Sequence, residues 1–420
     1  MTTTTLRNKI HIKHGFSFKG EFFASEGDYV VLTPGNFKES GGFKFDVEKA
    51  KFYSGKFPRE YICAKGDLIV AMTEQAEGLL GCSAIVPEDN RFLHNQRIGL
   101  VTVNENEIDK LFLYHVFNTK SVRQQLRRSS SGSKVKHTSP DRIYDVIVNL
   151  PPLPTQQKIA AILSSLDAKI ELNQRINAEL EAMAKTLYDY WFVQFDFPDE
   201  EGKPYKSSGG KMVWNEALKR EIPEGWNNGT LSDLGTISGG STPPREIEEY
   251  FSNDGTPWIT PKDLSLNAGN KFITKGETDV TGKGIKAASL TIMPKGTVLL
   301  SSRAPIGYMA IARGEVTTNQ GFKSFIPNKG YSIPFIYYTV QQTIPTIINH
   351  SSGSTFKEAS ATVLKSISVC LPPISIADKY KDTVDAIFER QNKLELESQT
   401  LTELRDWLLP MLMNGQVKVG

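Results

Sequence analysis

The sequence predicts an α+β protein with a pseudo-two-fold internal repeat: two tandem α+β globular domains separated by two long antiparallel coiled-coil helices. Three observations predict it. The first is the repeat itself. Ser131-Gly132-Ser133-Lys134 is followed by a short apolar strand pattern, by Leu150-Pro151-Pro152 and by a long heptad segment. Ser352-Gly353-Ser354-Thr355 is followed by a similar pattern, by Leu371-Pro372-Pro373 and by another heptad segment. The offset is 221 residues here, 224 at Asn95-Gln96 against Asn319-Gln320, and 230 at Lys65-Gly66 against Lys295-Gly296. Such drift marks small loop insertions on a shared scaffold.

The second observation is the heptad seam. Ile159, Leu166, Asn173, Leu180 and Leu187 fall seven apart, with Leu163, Ile170 and Trp191 four after heptad positions. Tyr380, Ile387, Leu394, Leu401 and Leu408 do the same in the second segment, with Val384 and Leu412 alongside. A 3.5-residue apolar repeat sustained this long indicates a coiled coil, and packing the two seams together is the simplest way to bury both. Asn173 and Asn177 lie in or beside the seam, where they either fix register or stand exposed.

The third is period-two alternation ending each globular copy: Val146, Val148, Leu150 and Ile367, Val369, Leu371. This is the mark of a half-buried strand, and the Pro-Pro pairs end it. Further strands are predicted at Asp67–Met72, Ile98–Val103, Thr297–Leu300 and Phe322–Ile326, and helical patterns at Asp109–Gln125 and Pro334–Ile348. The predicted division is residues 1–153 for the first globular domain and 154–197 for the first long helix. A polar linker takes 198–225, the second globular domain 226–375 and the second long helix 376–420.

Composition narrows the class. The chain has 420 residues, 39% apolar and 23% charged, enough for two or three domains with ordinary cores. No apolar run approaches the ~20 residues of a membrane span, and Met1–Leu6 lacks an apolar signal core, so no membrane association and a cytoplasmic location are expected. Cys63, Cys82 and Cys370 are isolated and read as buried thiols in a reducing compartment. Net charge is only +2, but residues 1–153 hold 21 basic against 17 acidic residues and 226–375 hold 13 against 10. The helices lean the other way, 4 against 6 and 6 against 8. Globular parts that lean basic suit a polyanion.

Basic and small polar residues gather at the equivalent loop of each copy. The first copy offers Arg123, Arg127, Arg128, Ser133, Lys134 and Lys136, and the second offers Ser354, Thr355 and Lys357. Hydroxyls, amides freed by glycine and cationic side chains are the groups that hold phosphate oxygens, so these are the candidate DNA-binding residues.

Catalytic signatures are missing. Gly276 to Gly284 has the wrong spacing for a phosphate loop, and Gly284 stands where a Ser or Thr must bind magnesium. Asp199, Glu200 and Glu201 are crowded within one polar segment rather than brought from separate strands. The histidines and lone cysteines offer no zinc spacing, so no metal site is expected. The Leu-Pro-Pro turns lack the flanking residues an amino-methyltransferase uses on a flipped base. The chain reads as a binding module with no catalytic residues.

The junction after the first helix carries a resemblance. Its motifs are Leu187-Tyr188-Asp189-Tyr190-Trp191-Phe192, Phe195-Asp196-Phe197, Gly202-Lys203-Pro204-Tyr205-Lys206, Ser208-Gly209-Gly210, Met212-Val213-Trp214-Asn215 and Ile222-Pro223-Glu224-Gly225-Trp226. With Pro151-Pro152-Leu153-Pro154, Gln157 and Ile159, they resemble the specificity subunit of type I restriction-modification enzymes. The resemblance implies two target-recognition domains, each reading one half of a bipartite site in double-stranded DNA. It implies helices that set the spacer and dock two modification (methyltransferase) subunits, with restriction (motor-nuclease) subunits joining for cleavage. It also implies no cofactor in this chain: S-adenosylmethionine, ATP and Mg2+ would be bound by the partners. The assembled complex would be an adenine-N6 methyltransferase and ATP-dependent endonuclease. The first copy departs from the family in lacking an early Trp equivalent to Trp226.

Overall fold

The computed structural model describes residues 2–74, 78–303, 305–351 and 358–417. The chain divides into two compact units, Met1–Ile170 with Thr400–Gly420, and Glu171–Gln399. Each unit combines one globular copy with stretches of both long helices. Among the described residues, no helix is long and apolar enough to cross a membrane.

In the first unit, the central sheet runs Ile10–His14, Ile98–Val103, Leu68–Ala71, Ser83–Ile85, all antiparallel. In the second unit the order is Thr236–Gly239, Lys323–Ile326, Val298–Ser302, Ile306–Ala312. A fifth strand, Phe272–Ile273, adds in parallel to the last of these and has no counterpart in the first sheet. A smaller sheet repeats as well: Phe23–Ala24, Phe52–Tyr53, Val30–Val31, Phe92–Leu93 in one copy, and Phe251–Ser252, Asp279–Val280, Thr256–Ile259, Thr317–Thr318 in the other. In both, only the last pair is parallel. Each copy closes by pairing its first strand with its last: Thr2–Thr5 with Ile147–Leu150, and Asn227–Thr230 with Ser368–Leu371. Ile98–Val103 coincides with the predicted strand, and Val148 and Leu150 point inward as their alternation requires.

The repeat reaches single backbone angles. Gly66 and Gly296 both adopt φ of +86°, and their amides donate to Val86 O at 2.9 Å and Ala312 O at 2.8 Å. A side chain is strained at that φ, which accounts for glycine in both copies.

The helical patterns end differently from expectation. The pattern over 109–125 is broken: one helix runs Lys110–Phe117 and a second Lys120–Ser129. Thr119 starts the second, its hydroxyl accepting from the Val122 amide at 3.3 Å, a local bond that competes with helix continuation. In the second copy the corresponding helix, Ile333–His350, is continuous. The first long helix spans Leu153–Tyr188 and closes in a π turn, Asp189–Val193, rather than continuing to 197. Phe195 at φ of +68° then turns the chain away. The second long helix spans Ile374–Met413.

Residues 198–225 are more than a linker. They contain the hairpin Met212–Asn215 with Arg220–Pro223. Phe197 stacks between Tyr205 at 4.7 Å and Trp226 at 5.1 Å between ring centroids, and Phe195 meets Trp226 edge-on at 5.3 Å. Charged letters near the hairpin mask this aromatic core. Asp199 itself accepts the amides of Glu201 and Lys203 at 2.9 and 2.8 Å, making a turn.

The helices pair antiparallel within each unit. In the second unit, Tyr380 donates to Ala184 O at 2.9 Å, Asn177 reaches Glu395 at 3.3 Å and Asn173 reaches Glu397 at 2.8 Å. In the first, Arg405 bonds Asp167 at 2.9 Å, and Ile159 and Leu163 share a core with Leu412 and the partly buried Leu408. Tyr380 and Leu394 are also buried, whereas Leu166, Leu180, Leu187, Ile387 and Leu401 are half-buried. Each fully buried side chain of this size contributes about 1.5–3 kcal/mol. Asn173 and Asn177 are buried, 1% and 6% exposed, which sets aside the reading of them as exposed.

Candidate nucleic-acid interface

The basic loop of the first copy is a closed, braced structure. Ser131 and His137 exchange backbone bonds of 3.0 and 2.9 Å. Between them Gly132 adopts φ of +96°, where a Cβ would lie 2.0 Å from Val135 O. The Arg142 guanidinium donates to Ser131 Oγ at 3.0 Å and His137 O at 3.2 Å, pinning the base of the loop. Ser133 and Lys134 stand exposed at its tip. Arg127 and Arg128 occupy the last turn of the helix Lys120–Ser129, where cations complement the helix dipole. Gln124, Arg127, Arg128 and Lys136 line an open cleft of about 470 Å³.

Beneath this cluster lies a carboxylate. The two-residue strand Lys136–His137 pairs with Thr73–Glu74, so Lys136 sits opposite Glu74. Glu74 is buried, and its Oε2 accepts the amides of Gly78, Leu79 and Leu80 at 3.1, 3.0 and 2.9 Å. Its Oε1 lies 3.9 Å from Arg127 Nε. Glu74 gave no signal in the sequence, being one acid among many.

Arg123 differs from its neighbours. It donates to Glu39 O and, at 2.8 Å, to Asn118 Oδ1, so its guanidinium braces the interior of the copy. Arg127, Arg128, Lys134 and Lys136 remain as the outward cationic set, and the three of them that line the cleft, Arg127, Arg128 and Lys136, can hold oxyanions such as phosphate.

In the second copy, Ser354, Thr355 and Lys357 lie outside the described residues. The chain beyond them is anchored as in the first copy. Arg303 bridges Glu358 in antiparallel fashion, as Thr73 does His137. The Ala359 amide donates to Ser302 O at 2.9 Å, as Thr138 does to Met72 O at 2.9 Å.

The three thiols are unpaired, and burial raises Cys63 to about 12 and Cys82 and Cys370 to about 11, which keeps them protonated and unreactive. No group of His, Cys, Asp or Glu among the described residues is arranged to hold a metal ion.

Sequence reasoning also missed a charged joint in the second unit. Lys271 and Arg313 of the globular copy meet Glu181 and Glu395 of the long helices. The available signal was the polar set on the helix seam: Asn173, Asn177, Gln391 and Glu395 are all buried.

A duplicated α+β domain, each copy leading into a long helix and the first presenting a braced cationic loop, defines a two-copy protein on a paired-helix scaffold. The chain belongs to the type I restriction modification DNA specificity family, whose profile matches residues 3–182 and again 223–405. The two matched stretches are themselves offset by about the length of the internal repeat. Among relatives, the MjaIX specificity subunit of a type I restriction enzyme from Methanocaldococcus jannaschii is 38% identical over 214 residues, 47% of this chain and 48% of that protein. The alignment thus spans about half of that relative. The HindI specificity subunit from Haemophilus influenzae is 27% identical over 408 residues, covering 84% of this chain and 87% of its own length. In fold, the chain is similar to the S subunit of a type I restriction-modification system from M. genitalium. The TM-score is 0.61 at 17% identity, over 98% of this chain and 96% of that one.

Proposed function

We propose that this chain is the non-catalytic DNA-reading subunit of a type I restriction-modification complex, and that it reads a bipartite site in double-stranded DNA. Residues 1–153 and 226–375 would act as the two target-recognition domains. The helices 154–197 and 376–420 would hold them at a set spacing and dock two modification subunits and the motor-nuclease subunits. S-adenosylmethionine, ATP and Mg2+ belong to those partners on this reading, and the complex works in the cytoplasm as an adenine-N6 methyltransferase and ATP-dependent nuclease.

The observation that supports it most is the cationic loop at a fixed place in a repeat shared with the specificity family. Arg127, Arg128, Ser133, Lys134 and Lys136 grip phosphate in the first copy, with Ser354, Thr355 and Lys357 as their proposed counterparts. Features common to both copies cannot distinguish different half-sites, so bases are read by segments that do not match. These are Lys38–Lys56 and Leu264–Lys286, apart from the strands Phe52–Tyr53 and Asp279–Val280 that the two copies share and the buried Lys271. Mapping of methylated bases in the host genome, with and without the intact gene, tests the proposal. A two-part motif that disappears on disruption is expected, and exchanging either segment should change one half of it. A motif unaffected by disruption removes the proposal.

A further inference from the structure

Two cations of the second globular copy pack against two anions of the long helices, and one of each, Lys271 and Glu395, is buried. Lys271 immediately precedes the extra strand Phe272–Ile273. Its side chain is 2% exposed, and its Nζ lies 2.6 Å from Glu181 Oε2 on the first long helix. The ammonium also donates to Tyr338 Oη at 2.8 Å and sits 3.8 Å from the Phe388 ring centroid on the second long helix. Glu395, on that second helix, accepts the amides of Lys271 and Phe272 at 2.7 and 3.1 Å. The same carboxylate takes Arg313 Nη2 at 2.7 Å, while Arg313 Nε donates to Asn392 at 2.6 Å. Gln391 and Asn177 complete the set, donating to Glu181 at 3.1 Å and Glu395 at 3.3 Å.

A buried ion cluster of this kind is a weak source of net stability, because desolvation opposes the attraction. It is a strong source of direction. Rotating the domain against the helices would strip the buried Lys271 and Glu395 of their partners where little water can replace them, whereas apolar side chains tolerate sliding. The arrangement is also particular to one copy. The strand that carries Lys271 into place is absent from the first sheet. At the 221-residue offset, Glu181 and Glu395 correspond to Thr402 and Gln174, neither of which is charged.

We infer that Lys271 is a positioning residue for target recognition: through Glu181, and beside the Arg313–Glu395 pair, it holds the second recognition domain at one angle on the helices and so determines which separation of half-sites is accepted. This rests on the proposed reading of a bipartite DNA site. Lys271 touches no base in this inference, so the bases read are unchanged by its loss.

The full chain is compared as wild type, Lys271→Met and Lys271→Met/Glu181→Gln. The double variant leaves no unpaired buried ion and guards against simple misfolding. The probes are duplexes carrying the two half-sites of the methylated motif, at the native spacing and at one and two base pairs more or less. The wild type is expected to prefer the native spacing at least tenfold. Both variants are expected to lose threefold or more of that preference while ranking half-site base changes as before. Retention of the full preference in the double variant overturns the inference. So does a uniform loss of affinity at every spacing, which marks a purely structural role, and so does a wild type indifferent to spacing. A wild type that binds these duplexes no better than scrambled ones defeats the DNA reading itself, a result separable from the others.

Discussion

Lys136 sits directly opposite Glu74 in the two-residue ladder that carries the cationic loop, so a buried acid lies under its cations. Three amides bind one oxygen of Glu74 and Arg127 approaches the other. The acid therefore holds the backbone amides of Gly78–Leu80 and lies against the cations above it. Glu74→Ala would orphan the amides of Gly78 and Leu79, which are half-buried, and of the buried Leu80, and an unsatisfied buried donor costs about 1–3 kcal/mol. A destabilisation of about 1–3 kcal/mol is expected. Glu74→Gln keeps an acceptor and removes the charge, so it should retain most stability and bind DNA more tightly at low salt. Urea unfolding and filter binding read the two effects. Equal behaviour of the Ala and Gln variants would refute this role.

Neutralising Arg127, Arg128, Lys134 and Lys136 together with glutamine should weaken DNA binding about equally on all sequences. Each lost phosphate contact lowers the slope of log K against log salt by about 0.9, so a drop of about 3–4 is expected if all four make contact. Arg123→Gln should instead lower stability, because that guanidinium serves Glu39 and Asn118. A salt titration that moves with Arg123 and not with the other four would reverse this assignment.

The first unit should lose stability in mild acid. Burial lowers His94 to about 4, with its bond to Ile98 O opposing, and lowers His115 to about 4, with Asp167 opposing. The unfolded histidines titrate near 6.5. Between pH 6.5 and 4 the unfolded state binds more protons, so stability falls as pH falls through that window and is fully present above it. Each histidine contributes up to about 3 kcal/mol of this loss. Protection of amides in peptides spanning 92–117, after correction for the intrinsic slowing of exchange in acid, should fall from pH 7 to pH 5. His115→Gln should remove part of the effect, and an unchanged pH dependence in that variant would count against it.

Asn173 is buried on the long helix with its Oδ1 unpaired among the described residues, while its Nδ2 bonds Glu397 at 2.8 Å. Asn173→Leu should raise stability by about 1 kcal/mol, since an unmet polar atom is replaced by apolar contact. The cost should appear as alternative pairing of the helices, because a buried Asn in a seam penalises wrong registers. Thermal unfolding measures the gain, and disulfide trapping between cysteines placed on the two helices measures the slippage. A variant that is less stable and still singly registered would contradict both halves.

The repeat, the strands over 67–72 and 98–103 and the heptad seam were written in local patterns, because alternation and 3.5-residue spacing report which face of an element is buried whatever it packs against. The matched glycines 66 and 296 belong here too, since a left-handed φ is a property of one residue. The cationic residues at 127–136 were legible as a cluster for the same reason. Their division of labour was not. Whether Arg123 faces a phosphate or Glu39 depends on a contact 84 residues away. Glu74 and Lys271 became important only when the fold enclosed them: one meets a strand more than 60 residues on, the other meets Glu395 across 124 residues of chain. The sequence by itself determined the duplicated scaffold, because periodicity is local. Only the tertiary structure decided which charges are buried and paired, because desolvation and Coulomb attraction depend on neighbours brought together by folding.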